Sequence, residues 1–75
     1  MTWNYARARE LEKELTALEG LIKEEEMSDR NLIKYYQEHG EEYDHVQKRV
    51  DQYMIQRGQI AEVFDILDGL KVSAR

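Results

Sequence analysis

The sequence predicts an all-α antiparallel helical hairpin, coiled-coil-like, with a short helix 1 and a long helix 2, completed by dimerisation. Three observations carry the prediction. Proline and cysteine are absent, there are four glycines, and 36% of the 75 residues are charged, mostly Glu, Lys and Arg, which are strong helix formers. Apolar residues recur at alternating spacings of three and four, the period of a helical seam. One stretch, Met27-Ser28-Asp29-Arg30-Asn31, reads as a clear break between two such patterns.

Helix 1 is predicted over about residues 4–27. Ala8, Leu11, Leu15, Leu18 and Ile22 form its stripe, with Glu10, Glu12, Lys13, Glu19 and Lys23 off it. Thr2 or Asn4 is a suitable start cap. Lys23-Glu24-Glu25-Glu26 is polar and ends the stripe. Ser28 then reads as the cap of helix 2, with Asp29 supplying negative charge at its N-terminus.

Helix 2 is predicted over about 29–70, bent at Gly40 or Gly58, with residues 71–75 frayed beyond Gly69. Leu32, Tyr36, His39, Tyr43, Val46, Val50, Tyr53, Arg57, Ile60, Phe64 and Leu67 keep the four-three alternation. A turn at Ser28 sets a helix of about 36 Å against one of about 60 Å. Helix 1 then runs out near Tyr53, and residues 55–70 overhang. There Ala61, Val63, Ile66 and Leu70 widen the apolar face, which implies contact with more than one helix. Tyr53, Ile60, Val63, Phe64, Ile66, Leu67 and Leu70 are the expected partner-binding set. The partner is another copy, as a homodimer or higher oligomer, or a different protein. Trp3 is either a lid on the hairpin end or an anchor. His39 and Arg57 are polar seam residues, candidates for fixing register.

A 75-residue chain supports one small domain, and with no cysteine it has no disulfide or thiolate metal site. The net charge is −5, split −3 over residues 1–28 and −2 over 29–75. Acidity in both halves argues against nucleic-acid binding, which needs a basic stripe. No apolar run reaches the roughly 18 residues of a membrane span. The N-terminus lacks a signal-peptide core, so a soluble cytoplasmic protein is expected.

Chemistry has one candidate. Glu38, Glu42 and His45 fall at i, i+4 and i+7, and Glu42-Tyr43-Asp44-His45 has the Glu-x-x-His spacing of di-iron carboxylate bundles. Glu10 and Glu14 approach from across the predicted hairpin. The string Glu41 to His45 resembles the ligand segment of two-helix encapsulated ferritins, a resemblance about one heptad long that implies iron or zinc. Because Tyr43 and Val46 hold the seam, such a site has to form at an interface between chains. Patches around Ser28-Asp29, Leu32, Tyr36-Gln37 and Val63-Phe64-Asp65-Ile66 are similar to secretion-needle subunits, also small helical hairpins, without their proline-containing turn.

The leading functional expectation is a non-catalytic protein–protein interaction module: an adaptor, chaperone, assembly factor or inhibitor. The alternatives are a ferritin-like metal-binding protein, and an acidic inhibitor that mimics nucleic acid, suggested by Glu24-Glu25-Glu26. No Gly-rich phosphate loop or nucleophile–base pair points to catalysis.

Overall fold

The computed structural model describes residues 5–73; Trp3 and the caps Thr2 and Asn4 lie outside them. Helix α1 spans Tyr5–Glu38 and helix α2 spans Asp44–Ser73. They lie side by side in a rod of 56 × 17 × 15 Å. The chain is an all-α hairpin.

The turn is not at Ser28. Helix α1 passes through Met27 to Asn31 without interruption and ends at Glu38, 11 residues beyond the expected end at Met27. The helices are therefore of similar length, 34 and 30 residues, and the expected overhang does not exist. Two physical reasons account for the shift. Ser28 offers a cap, but glutamates such as Glu24 to Glu26 are good helix formers and do not stop a helix. Gly40 does stop it. It adopts φ +67°, a left-handed conformation that glycine enters without a Cβ penalty. Around it, Glu41 N–H donates to the Tyr36 carbonyl at 2.8 Å and Gly40 N–H to the Gln37 carbonyl at 3.3 Å. This paired closure is the Schellman motif, with glycine at the first position past the helix. Gly40 is thus the terminator of α1, not a weak point within a longer helix.

Helix α2 restarts at once. The Tyr43 carbonyl accepts from Gln47 N–H at 2.9 Å, and Asp44 places a negative charge in the first turn, where it opposes the helix dipole. Gln37 Nε2 donates to the Tyr43 hydroxyl at 3.1 Å, tying the end of α1 to the start of α2.

Gly58 lies inside α2 with open space where a Cβ would stand. The two glycines therefore predict opposite outcomes in a urea titration. Gly58→Ala should raise stability by about 0.5–1 kcal/mol by relieving the entropic penalty of glycine in a helix. Gly40→Ala should lower it by about 1–2 kcal/mol, because alanine must hold a left-handed conformation. Equal effects at the two positions would contradict the placement of the turn.

The seam of α2 is as the spacing predicts. Val46, Val50, Ile60 and Leu67 are buried, and Tyr53, Arg57, Phe64 and Lys71 are half-buried. The facing column of α1 runs through Ser28 without a phase change. Leu15, Glu19, Ile22, Glu26, Asp29, Ile33 and Tyr36 are spaced four-three throughout, and every one is buried or half-buried. Polar residues in the middle of this column, not a turn, are what interrupt the apolar stripe of α1.

Candidate protein-association surface

Ion pairs cross the hairpin at these polar positions. Arg49 grips Asp29 with two bonds, Nε to Oδ2 at 3.0 Å and Nη2 to Oδ1 at 3.1 Å. Arg57 Nε lies 2.9 Å from Glu26 Oε1, off the N–H axis, so this contact is a charge pair more than a directed hydrogen bond. Arg30 Nε completes the cluster at 2.9 Å from Glu26 Oε2. Near the termini, Lys71 pairs with Glu12. In each cross-hairpin pair the acid belongs to α1 and the base to α2. Arg49 holds the Asp29 carboxyl below its ordinary pKa, against the opposing effect of burial, with help from the Tyr53 hydroxyl. Burial, and then the Asp29 charge, push the Tyr53 hydroxyl upward. The bond to Glu12 raises Lys71.

Arg57, expected on the seam, is there and faces Glu26. His39 is not. It sits in the exposed turn next to Gly40, its ring stacked on Tyr35 with centroids 4.1 Å apart and its Nδ1 2.8 Å from the Tyr35 carbonyl. The helix ends before the alternation can bring His39 to the seam.

The expected partner-binding set divides. Ile60 and Leu67 are buried within the hairpin, and Tyr53 and Phe64 are half-buried on the same inner column. A turn at Ser28 would leave them unpartnered. With the turn at Gly40, α1 is long enough to cover them. Val63, Ile66 and Leu70 remain exposed, at 39%, 61% and 36%. With Gln59 they form a second column on α2, spaced four-three-four, beside the inner one.

Helix α1 has a matching second column. Leu11, Glu14, Leu18 and Leu21 keep the same kind of spacing, and Leu18 and Leu21 are exposed. In the half of the rod away from the turn, two adjoining hollows that share Leu18 and Val63 make a groove between the helices. Leu11, Leu15, Leu18 and Ile22 line it from α1, and Gln56, Gln59, Ile60, Val63 and Leu67 from α2, with Glu14 at its edge. Two further hollows are lined mainly by charged and polar residues: Arg9, Glu12, Lys13 and Thr16 in one, and Lys23, Glu26, Met27, Arg30 and Asn31 in the other.

The metal constellation does not assemble as expected. Glu38 ends α1, Glu42 lies in the connection and His45 is in the first turn of α2, so the three share no helical face. Glu10 and Glu14 sit towards the other end of α1. Among the described residues no group of three or more His, Asp or Glu is gathered to hold an ion. Likewise, no described helix is long and apolar enough to cross a membrane. Comparison with protein families, curated proteins and solved structures finds no match to this chain.

The widening of the apolar face at Val63, Ile66 and Leu70 was legible in the sequence. Its counterpart at Leu11, Leu18 and Leu21 is hidden by a second alternation, Ala8-Leu11-Leu15-Leu18-Ile22, which reads as the inner seam. The competing register, Ala8-Glu12-Leu15-Glu19-Ile22, has the same spacing and is the one that faces α2, with Glu12 and Glu19 half-buried.

Proposed function

We propose that this chain is a non-catalytic protein-association module. Its working surface is the apolar groove between the outer columns of α1 and α2. The observation that carries the reading is the pairing of exposed leucine, valine and isoleucine from both helices around two adjoining hollows whose lining is apolar apart from Gln56, Gln59 and Glu14. Contiguous exposed apolar surface with a polar surround is characteristic of an interaction site. The mode of recognition is helix-on-helix burial. The expected contacts move from a free end of helix 2 to a surface built by both helices, with Val63, Ile66 and Leu70 retained from α2 and Leu11, Leu18 and Leu21 added from α1.

A photo-reactive side chain tests this in cells. Placed at Gln59, on the groove, it should yield a covalent adduct with a protein. Placed at Glu62, on the outer side of α2, it should yield little. Equal labelling at the two positions, or none at Gln59, would overturn the reading.

A further inference from the structure

We infer that the occupant of the groove is a second copy of this chain, so that two hairpins form a four-helix bundle over their terminal halves. The inference rests on the reading of the groove as an association surface and names its partner.

The first argument is spacing. Each helix carries two adjacent columns at heptad-like intervals: an inner one used within the hairpin, and an outer one not used by it. Two columns per helix are what a four-helix core requires, since each helix there faces two neighbours. A single partner helix seated in the trough would leave Leu21 and Ile66, which line neither hollow, uncovered. Here both outer columns are mainly apolar over the same stretch, Leu11, Leu18 and Leu21 on α1, interrupted by Glu14, and Val63, Ile66 and Leu70 on α2.

The second argument is charge. Copies of a chain with net charge −5 repel one another, and they can approach closely only where charge is absent. The groove is such a place. Glu14 is the one ionisable residue lining its two hollows, and Gln56 and Gln59 offer both donor and acceptor, so each can pair with its own copy. A partner selected by opposite charge would need a strongly charged rim, and here the polar lining is Gln56 and Gln59 with Glu14 as the single charge.

The third argument is area. Half of the 56 × 17 Å broad face presents roughly 480 Å² in projection on each copy, so a pair offers about 950 Å², the small end of the range for a specific interface and consistent with a dimer that dissociates on dilution. The buried apolar residues of one hairpin are few: Ala8, Val46, Val50, Ile60 and Leu67. A second copy would cover the groove and enlarge this core.

The experiment is sedimentation equilibrium of the full chain over a wide concentration range, with two variants. The wild type should run at twice the chain mass and dissociate on dilution. Leu18→Glu/Val63→Glu should raise the dissociation constant at least about tenfold, because charge replaces apolar contact at the centre of the interface. Ile66→Lys is the second variant. Ile66 is 61% exposed in a single hairpin, so its replacement leaves the hairpin core untouched and should still weaken the dimer. A wild-type chain that stays monomeric throughout would overturn the second-copy inference. The association reading would then stand only if the adduct at Gln59 contains a different protein. A dimer unaffected by both variants would place the interface elsewhere and overturn both.

Discussion

Leu67→Ala and Ile60→Ala should each destabilise the hairpin itself by about 2–4 kcal/mol, the range for truncating a buried aliphatic side chain and leaving a cavity. Both residues are buried, at 4% and 6% exposure, on the column of α2 that faces α1. For a domain of this size such a loss is a large share of total stability. The measurement is a thermal melt followed by circular dichroism at fixed protein concentration, since association adds to apparent stability. Val63→Ala is the control. Val63 is partly exposed on the groove, so its truncation should weaken association more than it lowers the helical content of a dilute sample. If Leu67→Ala melts like the wild type and only dimerises less well, Leu67 belongs to an outward surface and the hairpin register described here is wrong.

This experiment separates two readings of the same apolar residues. From sequence, Ile60, Phe64 and Leu67 stand out as the most apolar end of the chain, and the four-three alternation from Val46 to Leu67 is fully legible. So is the all-α hairpin. What the pattern does not reveal is which surface covers that end, because this depends on where the chain turns. A local signal, Ser28-Asp29 shortly after three glutamates, has the chemistry of a helix boundary and points to a turn the chain does not make there. The deciding signals lie further off. Glu26 and Asp29 keep the inward spacing between Ile22 and Ile33, and the arginines that neutralise them, Arg57 and Arg49, are 31 and 20 residues away. A polar residue on a seam reads as a break until its partner is seen, and its partner is fixed only by the fold. Gly40 illustrates the same point. Its unshifted apolar phase suggested a continuous helix, whereas its left-handed conformation ends one.

The candidate site follows from this displacement. Once α1 extends to Glu38, its first half lies beside the second half of α2, and Lys71 meets Glu12. The stripe predicted to overhang becomes half of a two-helix surface. The metal candidates lose their common face for the same reason, since the turn falls between Glu38 and His45.

The second large effect is expected at the polar seam. Arg57→Ala should destabilise the hairpin by about 1–2 kcal/mol, less than the loss for a fully buried pair, because Arg30 still contacts Glu26 and Arg57 is about one-third exposed. Replacing both partners, as Glu26→Leu/Arg57→Leu, should recover that loss or exceed it, since apolar packing avoids the desolvation of two charges. A urea titration of the three proteins decides the matter: a neutral Arg57→Ala would make the pair irrelevant to stability. Acid should act through the neighbouring pair. Asp29 has a lowered pKa in the fold, so its stabilising contribution is complete above the ordinary aspartate value of about 3.9. It is lost as pH falls through the lower, folded value, and Asp29→Asn should remove that part of the acid sensitivity. The double-leucine protein should differ in a second way. With acids on α1 and bases on α2, the seam accepts α1 against α2 and resists α1 against α1 by like-charge repulsion. A seam with leucines in place of this pair, keeping only Asp29–Arg49 and Glu12–Lys71, loses part of that discrimination. Native mass spectrometry should then show a broader range of oligomers than the wild type, even as stability rises. A single sharp oligomeric state in the double variant would mean that helix pairing is chosen by the apolar columns alone.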